Sequence, residues 1–347
     1  MKNTSFLITG VGSLPHHNVD AALTHAFQFD VPFLPQIPIR HHREYMISQA
    51  LDGMPGLMVA EDGAVELDLV VWRSGYAQLN QDLESAFLSG RFDAFEPASA
   101  AMSCWQPFVW EVSEKKVPQA KMQIAGPLTC QWALTLSDGS KVSNYPEIGA
   151  QIVRLITARA LAMALRIKQA GCQPILFIDE PGLFTFVPTD PRHSAASRDL
   201  RLLIAVLKKN GVLTGLHCCS NTDWSLLLDL GLNYLSFDVK LSLDRILEHA
   251  SDIAAFVESG GCFSLGVVPT NIGAECFLTD SQIEQDANRL AARIDGVFHK
   301  KPLVTKQILN NCLLTPACGL ALKTVGEAEG ILAVLKSYQR IFRAIQR

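Results

Sequence analysis

The chain has 347 residues, 48% of them hydrophobic, with nine cysteines and a formal net charge of −4. A mean hydropathy of +0.18 and a pI near 6.1 give no electrostatic footing for nucleic acid or an anionic membrane surface. Charged residues, Gly or Pro interrupt each long apolar stretch, so no membrane span is expected.

The N-terminal run Phe6-Leu7-Ile8-Thr9-Gly10-Val11 follows Lys2 in the manner of a secretory signal. It is too short, lacks a small-residue cleavage site and runs into Pro15-His16-His17, so it reads as a first core strand. A cytoplasmic protein with reduced cysteines is therefore expected, and an odd cysteine count fits a disulfide framework poorly.

Apolar, β-branched runs then alternate with helical patterns. The expected strands are Phe6–Gly10, Pro32–Leu34, Lys121–Ala125, Ile175–Asp179, Val212–His217, Tyr234–Asp238, Phe263–Val268 and Asn311–Leu314. Helical patterns fall at 19–28, 40–51, 81–88, 148–170, 198–209, 224–230, 243–259, 280–294 and 325–345. In the fourth of these, Ile148, Ile152, Leu155, Ile156, Ala160, Met163 and Ile167 form one apolar stripe. Arg159 falls inside that stripe, where it must carry its charge to the rim or find a partner. Between strands two and three lies a long excursion, at about residues 35–120. Within it Glu61-Asp62-Gly63 separates two alternating runs, a hairpin signal. No Pro/Gly/Ser-rich linker divides the chain, so one domain over 1–347 is expected: an α/β, (β/α)₈ barrel of the TIM type carrying a hairpin-and-helix insertion.

Chemically capable residues gather at the expected strand ends, where barrels keep their sites. His217 and Cys219 form an H-x-C pair, and residues two apart on an extended segment face the same way. Cys318 follows the last strand in Thr315-Pro316-Ala317-Cys318-Gly319. Asp238 ends the strand after His217 and offers either a fourth ligand or a partner for the histidine ring. His217, Cys219, Cys318 and Asp238 together make a candidate Zn²⁺ site. Cys218 should face the opposite side. Asp179 and Glu180 end the fourth strand, where two adjacent acids can bind an amine or cap a helix. The turn Val11-Gly12-Ser13 can offer N–H groups and a hydroxyl to a carboxylate. Trp132 either walls a pocket or packs. The basic cluster Arg40-His41-His42-Arg43 is either a solvated face or an anion site.

The motifs Val11-Gly12-Ser13-Leu14-Pro15, Gly126-Pro127-Leu128-Thr129, Ile178-Asp179-Glu180-Pro181, His217-Cys218-Cys219 and Pro316-Ala317-Cys318-Gly319-Leu320 occur in an order spanning nearly the whole chain. The set resembles the catalytic C-terminal barrel of the cobalamin-independent methionine synthase family, within the superfamily shared with uroporphyrinogen decarboxylase. The resemblance implies zinc on His217, Cys219 and Cys318, with Asp238 standing where the family has a ligating glutamate. It also implies that Val11, Ser13 and Asp179 hold the amino-acid part of homocysteine.

Three departures shape the expected reaction. The chain has about half the length of the full synthase, Asp238 is one methylene shorter than glutamate, and the stretch Gly266–Asn271 has no histidine. The expectation is zinc-dependent methyl transfer to a small thiol, homocysteine first. The expected donor is methylcobalamin or another methyl-corrinoid, ahead of methyltetrahydrofolate. A corrinoid carrier protein is the expected partner; nucleic acid and membrane are not. The alternatives are a metal-free decarboxylase of the uroporphyrinogen type, or a non-catalytic protein that binds zinc or a corrinoid.

Overall fold

The computed structural model describes residues 6–187, 189–270 and 278–345. Its strands are β1 (Leu7–Ile8), β2 (Leu57–Val59), β3 (Val65–Leu67), β4 (Gln119–Ala125), β5 (Thr135–Leu136), β6 (Gln173–Asp179), β7 (Leu213–His217), β8 (Tyr234–Asp238), β9 (Cys262–Val268) and β10 (Leu313–Pro316). Seven of them form one parallel sheet in the order β1-β10-β9-β8-β7-β6-β4, and β2-β3-β5 form a small second sheet. The strands of the parallel sheet are connected through helices, as parallel pairing requires.

The run expected as the second strand contributes only a parallel bridge at Phe33–Lys121. Its backbone nevertheless bonds to both outer strands of the sheet. Val31 N–H donates to the Ile8 carbonyl at 3.1 Å, and Leu34 N–H to the Lys121 carbonyl at 2.9 Å. Pro32 and Pro35 interrupt the donor pattern a continuous ladder would need.

Alternation along the strands sorts two faces. Ile175, Phe177, Leu313 and Val31 form a small cluster joined by Leu7, Leu213 and Tyr234. The intervening positions, including Leu176, Ile178, Leu216, Leu235 and Leu314, belong to the large core that the helices cover. Asp179 and His217 continue the line of the smaller cluster, since Ile175, Phe177 and Asp179 pair with Leu213, Gly215 and His217. They therefore lie on the inner face.

The excursion contains the expected hairpin. Leu57 pairs with Leu67 and Val59 with Val65, and Gly63 turns the chain with φ +84°. The second arm stops at Leu67, because Asp68 caps the helix Leu69–Ser89 through the N–H groups of Val70 and Val71. The helix expected at 40–51 is a short turn, His42–Glu44, followed by Met46–Leu51. That expected at 243–259 splits into Val239–Leu247 and Ala250–Glu258. Helices at Trp105–Glu114, Pro127–Ala133 and Pro302–Asn310 were not expected from the pattern.

Helix Pro146–Gln169 is, among the described residues, long and apolar enough to cross a bilayer, contrary to the sequence expectation, but most of it is buried inside the fold. Arg159 on its apolar stripe finds partners: its guanidinium donates to the carbonyls of Gln49, Ala50 and Asp52 at 2.6–2.8 Å. These carbonyls close the helix Met46–Leu51, so a buried cation meets the negative end of a helix. Burial lowers its pKa to about 10.

Candidate metal centre

His217 is the last residue of β7, and Cys219 follows two positions later. Cys318 lies two residues beyond β10. In the sheet order, β8 and β9 stand between β7 and β10. Strands three positions apart in a flat sheet are about 14 Å apart. The ligand atoms of His217, Cys219 and Cys318 all lie within 4.8 Å of one another. The sheet therefore curls, bringing strand ends together that a flat one would separate.

The three donors suit zinc. Zinc bonds of about 2.0–2.3 Å to nitrogen and sulfur place the ligands of one ion under about 4 Å apart, and this triangle is of that scale. His217 Nδ1 is engaged by the Ser236 hydroxyl at 2.9 Å. Its Nε2 is buried and has no hydrogen-bond partner. The sulfurs share a hydrogen bond that lowers the Cys219 pKa and pushes Cys318 up to about 12. A metal would displace the proton held between the two sulfurs and take both as thiolates. Cys218 points the other way, into the core, with its thiol on the Ser220 carbonyl. All eight cysteines among the described residues are free.

Asp238 is not part of this group. It caps the helix Val239–Leu247, with Oδ1 accepting from the N–H groups of Lys240 at 2.8 Å and Leu241 at 3.2 Å. The role of ring partner to His217, weighed above for Asp238, falls to Ser236, its register neighbour. Sequence reasoning missed Ser236. Its signal was a small hydroxyl in the apolar run Tyr-Leu-Ser-Phe-Asp, two residues from Asp238 and so on the same face.

The two adjacent acids have different roles. Asp179 pairs in register with His217, and its Oδ1 is buried without a partner. Burial raises its pKa to about 6, against the pull of Lys121 and His217. Glu180 is fully buried, and both carboxylate oxygens are spoken for. Oε1 accepts from Leu128 N–H at 3.1 Å; Oε2 accepts from Thr129 N–H at 2.8 Å and from the Thr129 hydroxyl at 2.6 Å. It fastens the end of β6 to the helix Pro127–Ala133, over Gly126, where a Cβ would meet Oε1 at 2.0 Å. Asp179, not Glu180, presents an open carboxylate oxygen.

The Val11-Gly12-Ser13 turn is tied down rather than open. The Val11 carbonyl accepts from Lys121 Nζ, and the Gly12 carbonyl from Gln36 N–H at 3.1 Å. The Ser13 carbonyl accepts from Leu320 N–H at 2.9 Å, and its hydroxyl from Ala321 N–H at 3.4 Å. Ser13 thus braces the loop that carries Cys318. Lys121 is a buried cation missed by sequence reasoning. It also donates to Gln123 Oε1 at 3.1 Å and stands 4.9 Å from the Phe177 ring centre, and burial lowers its pKa to about 8.

Trp132 packs on His193, ring centres 4.7 Å apart, at a cavity of about 310 Å³ that Gln131 and Thr185 also line. In the basic cluster, Arg40 lies 3.7 Å from Glu44 and His41 Nδ1 accepts from Arg43 N–H, while Arg40, His41 and Arg43 are exposed to solvent. The loop after β9 is described as far as Thr270; Asn271 lies outside the described residues.

No family model and no curated protein matches the sequence. Solved structures do match. A B12-independent methionine synthase from Shewanella sp. W3-18-1, in complex with selenomethionine, aligns with a TM-score of 0.49 at 13% identity, over 69% of this chain and 67% of that one. A vitamin-B12 independent methionine synthase described as putative, from Listeria monocytogenes, gives 0.43 at 14% identity, over 80% and 89%. A methyltransferase from Methanosarcina mazei aligns over 96% of this chain and 94% of that one, with a TM-score of 0.57 at 14% identity. Structural neighbours thus include B12-independent methionine synthases and a related methyltransferase, and the near-complete overlap with the last shows that this chain shares its fold.

Proposed function

We propose that the protein is a zinc-dependent methyltransferase acting on a small thiol, in the manner of the methionine synthase barrel. Homocysteine is the acceptor in this reading, and a methylated corrinoid on a separate carrier protein is the donor. The observation that carries it is the convergence of a His217 ring nitrogen and the sulfurs of Cys219 and Cys318 at one end of the parallel sheet. The fold shared with the Methanosarcina mazei methyltransferase supports it. In the same reading the segment 31–36 completes a closed barrel of eight staves, with the metal centre at its C-terminal mouth, and the protein works in the cytoplasm.

His217, Cys219 and Cys318 would hold the ion, with room left on it for a substrate sulfur. Zinc, when bound, lowers the pKa of such a sulfur so that it is a thiolate at neutral pH. Asp179 supplies a buried carboxylate for the substrate ammonium, beside the metal ligands. Held in line, the sulfur attacks the methyl carbon. The sulfur–carbon bond forms as the methyl–carrier bond breaks, and the bonding pair leaves with the carrier. A corrinoid leaves without being protonated, which suits a stretch 266–271 that has no histidine.

Elemental analysis of purified protein tests the centre. The expected result is one zinc per chain, falling below about a tenth of that in Cys219→Ser and Cys318→Ser. Methionine formed from methylcobalamin and homocysteine tests the reaction. A wild-type chain that takes up no zinc rejects the whole reading; zinc without methyl transfer rejects the catalytic part.

A further inference from the structure

Asp179, His217, Ser236 and Ser264 lie in one register row across β6, β7, β8 and β9. All four are buried polar residues in largely apolar strands. Parallel register partners face the same side, so the row is a polar band on the inner face. Asp179 Oδ1, His217 Nε2 and Ser264 Oγ are buried without partners. The one hydrogen bond within the row joins His217 Nδ1 to Ser236 Oγ at 2.9 Å.

We infer that Ser236 is a positioning residue that selects the ring tautomer of His217, with Ser264 behind it as the acceptor for the Ser236 hydroxyl. The inference rests on the metal reading above and deepens it. An imidazole binds a metal through a nitrogen that carries no proton. For Nε2 to face the two sulfurs as a donor of its lone pair, the proton must sit on Nδ1. Ser236 Oγ then accepts from Nδ1–H, and its own proton needs another acceptor. Its register neighbour on β9 is Ser264, whose buried hydroxyl makes no hydrogen bond of its own and is free to turn and accept that proton. The Cys218 N–H bond to the Ser236 carbonyl, 3.1 Å, locks the two strands at this level, so the serine cannot slide relative to the ring. A partner of this kind is commonly worth about 10- to 100-fold in metal affinity.

The test reads the tautomer and the metal separately. Two-bond proton–nitrogen NMR correlations of His217 in metal-free protein should show the Nδ1–H form in wild type and a mixture, or the other form, in Ser236→Ala. Competition with a chelator should show zinc bound about tenfold or more weakly by Ser236→Ala. Ser236→Thr, which keeps the hydroxyl, should recover most of the loss, and Ser264→Ala should show a smaller loss in the same direction. In cobalt-substituted protein, the visible d–d bands should shift in Ser236→Ala and return in Ser236→Thr. An Nε2–H tautomer in wild type, or unchanged zinc affinity in a folded Ser236→Ala, overturns the inference. A wild-type chain that binds no metal rejects the metal reading instead, a result the Ser236 variants do not influence.

Discussion

Asp179 and His217 stand opposite each other in the β6–β7 register, the carboxylate and the imidazole side by side on the inner face of the sheet. The acid is buried with one oxygen unpartnered, and the ring is buried with Nε2 unpartnered. Two unsatisfied polar groups placed together cost stability unless a ligand or water meets them. In the function proposed above, a substrate cation and a metal would meet them.

That pair sets a pH dependence. The Asp179 pKa rises from 3.8 to about 6 on folding, so the fold retains a proton that the unfolded chain releases. The stability contributed by the protonated acid is fully present below about pH 4 and is lost as pH rises through about 6. Asp179→Asn removes the ionisable group, so the metal-free variant should be more stable than metal-free wild type at pH 8, by up to about 3 kcal/mol. The gap should close toward pH 4. Urea titrations at the two pH values check it; equal differences at both would reject it. In methyl-transfer assays the same variant should show a KM for homocysteine raised about tenfold or more at pH 8, the loss expected for one charged hydrogen bond.

Gly319 and Ser13 are coupled. A Cβ on Gly319 would meet Ser13 Oγ at 2.1 Å but Ser13 Cβ at an ordinary 3.4 Å. Gly319→Ala should displace the loop bearing Cys318 and weaken zinc binding about tenfold, as a misplaced ligand does. Removing the hydroxyl as well, in Gly319→Ala/Ser13→Ala, should restore most of the affinity. A double variant as weak as the single one would show that Ser13 is not the obstacle.

Asp238 separates capping from ligation. Asp238→Ala should cost about 1 kcal/mol of stability, the usual worth of an N-cap side chain, while zinc stoichiometry stays at the wild-type value. Asp238→Asn, which still caps, should lose little of either. Elemental analysis with denaturant melts decides; loss of zinc in Asp238→Asn would make the carboxylate a ligand after all.

Glu180 is a clamp whose removal should act on stability. Glu180→Gln turns one of its acceptors into an amide donor facing the N–H groups of the helix Pro127–Ala133. A cost of about 2 kcal/mol is expected for the buried donor left unpaired. Denaturant midpoints measure this. A variant of wild-type stability with raised KM would instead assign Glu180 to the substrate.

The alternation of strand and helix, the hairpin at Asp62-Gly63 and the strand-end placement of His217, Cys219, Cys318 and Asp179 were all legible in the amino-acid order, because two-residue and helical periodicities are local properties. Cys218 could be assigned to the core for the same reason. Local pattern could not show that Asp68 ends a strand early, that Asp238 caps a helix, or that Glu180 has its carboxylate oxygens filled by a distant turn. Each of these depends on backbone N–H groups whose position tertiary packing sets. Nor could it show the row from Asp179 through Ser236 to Ser264, since register between strands of a parallel sheet is not written in any one strand. It took the curl of that sheet, which brings the ends of β7 and β10 together across two intervening strands, to give one nitrogen and two sulfurs a common place.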